Sequence, residues 1–313
     1  MYIAPLLVLL LLVGLVAGGA ALLMRQFAHG EDSTVERAQR HARRTATTAV
    51  VVGLFAAVAA AVAVLLPAPL DPAVGRPGVA AMMLPLAFGV AHTGVILVGE
   101  LTWSLPSGMV RRARLAHRGL LQDLPGWLLR TAIGTLVIGI AVIAVGAVTA
   151  DRYDRSITVH AGNGLVEGAA SPYVGTGYGL PALVGLGCLL ALTTAALWVV
   201  ANRPAIVTND AEVEDALRRA SGQRVLRGAT AVAMVVVAGL VTVSGLAIRS
   251  AAMTAAQAAR LEDLPVGGPA SILPWVGGAL TLIGLCGGVA GVVIFFVRNR
   301  VPVPAAELVA MEQ

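Results

Sequence analysis

The chain of 313 residues contains no lysine: all 22 of its basic residues are arginine. Lysine Schiff bases, as retinal or pyridoxal chemistry requires, and lysine-dependent phosphate loops are therefore excluded. Two cysteines are too few for a disulfide framework or a four-cysteine metal site. Aromatic residues make up 4% and charged residues 12% of the chain, against 58% hydrophobic, and the mean hydropathy is +0.85. A soluble domain has no core large enough for that much apolar surface. The composition excludes a soluble enzyme and leaves a polytopic membrane protein.

A bilayer-spanning helix needs about 20 mainly apolar residues, and a charge at its centre costs roughly 2.5 to 3.5 kcal/mol. Seven apolar runs meet that length, uncharged except for Arg130 at the edge of the fourth: residues 2–24, 46–66, 79–98, 127–150, 180–201, 229–248 and 272–297. The expected fold is an all-α transmembrane bundle of seven helices in one domain, residues 1–313. The first run has no basic residue before it and Arg25 after it, so it reads as a retained helix and not as a secretory signal.

Direction follows from the arginines, which collect in cytoplasmic loops. Seventeen fall on alternate connections: Arg25, Arg37, Arg40, Arg43 and Arg44; Arg111, Arg112, Arg114, Arg118 and Arg130; Arg203, Arg218, Arg219, Arg224 and Arg227; Arg298 and Arg300. Five fall on the others, at Arg76, Arg152, Arg155, Arg249 and Arg260. This alternation predicts the amino terminus outside and the carboxyl terminus in the cytoplasm; the expected location is the plasma membrane. The net charge of +5 then reflects topology. Anionic headgroups are the expected partners of Arg111, Arg112, Arg114 and Arg118, on an amphipathic segment over 107–122. Nucleic acid is not an expected partner, since the arginines lack interleaved aromatics.

Several connections carry local signals. Asp210 reads as a helix cap, followed by early acids Glu212, Glu214 and Asp215 and late Arg218, Arg219 and Arg224, the order that suits a helix dipole. The longest outer connection, 151–179, begins with an extended Ser156-Ile157-Thr158-Val159 and continues as a glycine-rich, irregular stretch. Leu-Pro-x-x-x-Gly recurs at Leu84 to Gly89, Leu180 to Gly185 and Leu273 to Gly278. It reads either as proline in the first turn with a small residue for helix contact, or as the trace of a triplicated hairpin. Gly14 and Gly18, and Gly284, Gly287, Gly288 and Gly291, form small-residue faces suited to packing in the bundle or to a homo-oligomer.

Ionisable groups inside a membrane are the first place to look for function. The candidate intramembrane polar site comprises His92, Thr93, Glu100 and Arg130, with Glu100 and Arg130 expected to pair at their helix ends. Paired aspartates, a Ser/His couple, a His-Glu-x-x-His motif and a Walker sequence are all absent from the sequence. One span histidine does not suffice for bis-histidine haem, and Cys188 with His92 falls short of a metal site. No catalytic residue, cofactor or metal ligand is assigned. An outer-loop enzyme site would have to use Asp151, Asp154 and His160.

The stretch Gly99-Glu100-Leu101-Thr102-Trp103, with Pro106, Gly108, Arg111 and Arg114-Leu115 to Arg118, resembles a family of uncharacterised multi-spanning membrane proteins of high-GC actinobacteria. Ser171-Pro172-Tyr173, Tyr178 to Pro181 and Leu217 to Arg227 extend the similarity, while Ser104 and Leu105 stand where the family has proline and arginine. The resemblance implies a membrane location and topology, and no activity. The expected function is a non-enzymatic, partner-binding or accessory membrane component. The alternative is a small-molecule or lipid permease with a path beside His92, lined by Thr93, Thr193, Thr194 and Thr281.

Overall fold

A computed structural model describes residues 34–65, 77–103, 119–121, 124–151, 155–203 and 211–297. They form six long helices: α1 (Thr34–Leu65), α2 (Pro77–Leu101), α3 (Gly126–Thr149), α4 (Thr176–Asn202), α5 (Ala211–Leu261) and α6 (Pro269–Phe296). Strands β1 (Ile157–Ala161) and β2 (Val166–Ala170) lie between α3 and α4. All six helices are long and apolar enough to cross a membrane. They correspond to the second to seventh apolar runs; the first, 2–24, lies outside the described residues.

The bundle is organised around α5, on which α2, α3, α4 and α6 all pack, while α1 packs chiefly on α2. Close approach of α2, α4 and α5 depends on missing side chains. A Cβ on Gly89 would lie 2.5 Å from Val232 Cγ1, and one on Gly185 would lie 2.6 Å from Leu86 Cδ1. Around these contacts Leu86, Leu186, Leu189, Val232, Val236 and Val237 form one core cluster. Ala49, Val52, Val90, Val95, Ile96, Leu197 and Val225 form a second beside it. Two glycines of the Leu-Pro-x-x-x-Gly repeat thus serve helix contact. The prolines lie deeper than expected, with Pro85, Pro181 and Pro274 all inside their helices, which begin at Pro77, Thr176 and Pro269, ahead of their apolar runs. The hairpins also differ. α1 meets α2 and α5 meets α6 extensively, but α3 and α4 touch much less.

Helix α6 shows how small residues set distance. Its buried positions, Ala270, Gly277, Gly284 and Gly291, recur every seven residues, the seam of two helices crossing at a shallow angle. Gly277 faces the Gly245 carbonyl and the Arg249 backbone nitrogen; Gly284 faces Thr242 and the Ala238 carbonyl. Gly287 and Gly288 sit at ordinary contact distance from Ala238.

The 51 residues of α5 span about 75 Å at 1.5 Å per residue, far more than a bilayer needs. Its uncharged stretch runs between Arg227 and Arg249, about 33 Å, which matches a hydrocarbon core. The expected run 229–248 is therefore the membrane-crossing part of a longer helix. The segment following Asp210, read from sequence as a connector, is its continuous first third; Asp210 itself lies outside the described residues.

At the far end, the all-α expectation needs correction. Residues 157–170 form an antiparallel hairpin, Ile157 opposite Ala170 and Ala161 opposite Val166. Val159, Ala161 and Val166 pack on Ala251, Ala252, Ala255 and Ala259 of α5. These alanines recur at helical spacing and let a sheet lie almost on the backbone. Gly168 meets the Ala251 carbonyl and Ala255 nitrogen so closely that no Cβ fits. The turn places Gly162, Asn163 and Gly164 at positive φ, a conformation that glycine and asparagine tolerate best.

Candidate functional site

The most developed polar assembly among the described residues lies at the end shared by the start of α1, the end of α2, the end of α4 and the start of α5. Glu100, in the last turn of α2, accepts at Oε2 from Arg203 Nη1 at 2.7 Å and from Trp103 Nε1 at 2.9 Å. The Glu100 and Arg203 side chains are 2% and 3% exposed, so the pair is almost fully desolvated. Arg203 also lies over the Trp103 ring, 4.8 Å from its centroid, a cation–π contact. The His41 ring of α1 also packs on Trp103, tilted by 47° with centroids 4.5 Å apart, and its Nε2 lies 2.9 Å from the Gly99 carbonyl.

Arg218, one turn after Glu214 on α5, extends the assembly. Its Nε donates to Glu214 Oε1 at 2.7 Å, the i, i+4 pairing expected on a helix face. Its terminal nitrogens donate to the carbonyls of Val200, Ala201 and Arg203. Those carbonyls end α4 and have no partner within that helix; the guanidinium supplies one and complements the dipole. Burial pulls the Arg203 guanidinium down from its usual range, and Glu100 and Glu214 oppose that shift. Nε and Nη2 of Arg203 are buried without an acceptor.

The expected Glu100–Arg130 pair is not formed. Arg130 is exposed and donates from Nε to the Gly126 carbonyl of its own helix. The reason is topological. α3 follows α2 in sequence but packs on α5 and α4, while α4 brings Arg203 to Glu100. Sequence reading thus identified Glu100 but missed Arg203, Trp103, His41 and Arg218 as its surroundings. A buried carboxylate at a helix end calls for a cation, and several arginines at other helix ends met that requirement equally well. The Glu214–Arg218 spacing was the one legible signal. Arg111, Arg112, Arg114 and Arg118 lie outside the described residues.

His92 and Thr93 lie deeper. His92 is 5% exposed and packs between Phe88 and Phe295, with ring centroids 5.5 and 5.4 Å away. Gly228 of α5 makes room for the ring. His92 Nδ1 and Thr93 Oγ1 are buried with no hydrogen-bond partner. Thr193, Thr194 and Thr281 donate to the carbonyls of Leu189, Leu190 and Gly277, four residues earlier on their own helices. These hydroxyls are engaged within single helices and do not converge with His92. Among the described residues no group of three His, Cys, Asp or Glu side chains gathers in a metal-binding arrangement. In the outer loop Asp154 lies outside the described residues, Asp151 accepts from Thr158, and His160 faces Glu167 across the hairpin.

Replacing His92 with leucine is expected to leave stability unchanged or raise it by up to about 1 kcal/mol, since a buried nitrogen without a partner is removed. Detergent-based unfolding of the purified protein checks this. A loss above about 2 kcal/mol would instead mean that the imidazole carries a bonded partner.

Compared with protein-family models, curated proteins and solved structures, the chain matches none.

Proposed function

We propose that this protein is a non-enzymatic component of the plasma membrane that acts through contacts with a protein partner or a second copy of itself. The observation supporting this reading is the internal use of its polar groups. Glu100 is bonded to Arg203 and Trp103, Arg218 closes the end of α4, and Thr193, Thr194 and Thr281 bond their own helices. What remains for recognition is the outer surface. α6 buries a single small-residue seam and turns Leu282, Ile283, Leu285, Val289 and Val292 outward. The proposed topology is seven spans, amino terminus outside and carboxyl terminus cytoplasmic. In support, the end carrying the Glu100–Arg203 assembly also receives most of the arginine-bearing connections, as cytoplasmic faces do.

A photoreactive residue at Val289, in native membranes, is expected to yield a discrete protein adduct, with none from Val232 in the core. Lipid adducts alone at Val289 would refute the partner reading. In the same membranes, a cysteine at Glu167 is expected to react with an impermeant thiol reagent in intact cells, and one at Arg219 only after lysis. The reverse pattern would invert the topology. The permease alternative has its support in the buried, unpartnered His92 Nδ1 and Thr93 Oγ1; it requires solute flux in proteoliposomes that His92→Leu abolishes.

A further inference from the structure

A cleft opens at the arginine-rich end between the last turns of α4 and the first turns of α5. Leu124, Leu197 and Val200 form apolar walls, Gly222 lies between them, and Arg218 and Arg219 stand on one side. Its depth is defined by α5. Gly222 precedes Arg227 by five residues, about 7.5 Å along the axis, and Arg227 marks the end of the uncharged stretch. The cleft therefore lies in the headgroup layer rather than in the hydrocarbon or the bulk solvent. Exposed Trp127 and Trp198, near the same ends of α3 and α4, are placed as interfacial tryptophans are.

The two arginines differ in availability. Arg218 already donates to Glu214, Val200, Ala201 and Arg203. Arg219 is exposed, and its Nε makes a long 3.4 Å contact with the Asp215 carbonyl; among the described residues its terminal nitrogens have no hydrogen-bond partner. We propose that this cleft seats the headgroup of an anionic glycerophospholipid. The terminal nitrogens of Arg219 meet the phosphodiester, and Leu124, Leu197 and Val200 cover the glycerol and the first acyl carbons. Apolar walls beside an available guanidinium at this depth match a molecule that is itself anionic at one end and apolar at the other. A free phosphate would leave the walls unused. The proposal needs the chain to span a membrane, but it is independent of the partner reading above.

The test is native mass spectrometry of the full chain in detergent, titrated with phosphatidylglycerol or phosphatidylcholine. The expected result is selective retention of phosphatidylglycerol, weakened about fivefold by Arg219→Gln, the loss of one interfacial arginine. Arg260→Gln, exposed at the opposite end, is expected to leave it unchanged. Gly222→Leu is expected to weaken retention at constant charge, because its side chain enters the cleft beside Leu124 and Leu197. Millimolar inorganic phosphate should not displace the lipid. Equal retention of both lipids, equal losses in Arg219→Gln and Arg260→Gln, displacement by phosphate, or undiminished retention in folded Gly222→Leu would each overturn the proposal. If Gly222→Leu does not fold, the surface variant Arg219→Gln decides.

Discussion

Arg203→Leu is expected to destabilise the protein by about 3–5 kcal/mol, the cost of leaving a buried carboxylate without its cation. Glu100 would keep the Trp103 Nε1 bond but lose the Arg203 guanidinium, 2.7 Å from its carboxylate. Glu100→Leu should cost a comparable amount, since Arg203 already has Nε and Nη2 without acceptors and would lose its bonded one. The double variant Glu100→Leu/Arg203→Leu should be less destabilised than either single variant, because no uncompensated charge remains. A shortfall of about 1–2 kcal/mol from the wild type is expected, reflecting the lost Trp103 contacts. Unfolding in detergent followed by tryptophan fluorescence gives the complete cycle. Additive single effects would show that the pair is not coupled in the folded protein.

The second large effect is at the α5–α6 seam. A Cβ on Gly284 would lie 2.7 Å from the Thr242 nitrogen and 2.8 Å from the Ala238 carbonyl. Both are backbone atoms, so neither side can yield by changing a rotamer, and the helices must separate. Gly284→Leu is expected to cost about 3 kcal/mol, and Gly284→Ala about half as much. Gly187→Ala on α4, with nothing within 4 Å of the added carbon, should stay within about 0.5 kcal/mol of the wild type. Equal stabilities of Gly284→Leu and Gly187→Ala would refute the close seam. Sequence reading had noticed Gly284 and Gly291 but grouped them with Gly287 and Gly288. Which glycines face α5 depends on helix rotation, and that is decided by the partner surface.

The same distinction runs through the fold. The apolar run 229–248 was legible because hydrocarbon excludes charge, but α5 extends from Ala211 to Leu261. Its polar ends are held by contacts far apart in sequence, the hairpin on Ala251 and Ala255 at one end and the α4 terminus on Arg218 at the other. The hairpin itself was half visible. Ser156 to Val159 read as extended, whereas the glycine-rich stretch after it, Gly162 and Gly164 included, read as irregular chain. Gly162 and Gly164 shape the turn and Gly168 permits contact with α5, and composition does not separate these roles.

Sequence alone determined that this chain belongs in a membrane and where its uncharged runs lie, because the energetic penalty for a charge in hydrocarbon acts on each segment independently. It also marked Glu100 as a carboxylate in need of a partner. Tertiary structure decided which partner. Glu100 meets Arg203 instead of Arg130 because α4, and not the next helix in sequence, packs beside α2. Lateral neighbours in a bundle are chosen by side-chain fit, at Gly89, Gly185 and Gly284, and that fit is a property of two surfaces together that neither segment carries alone.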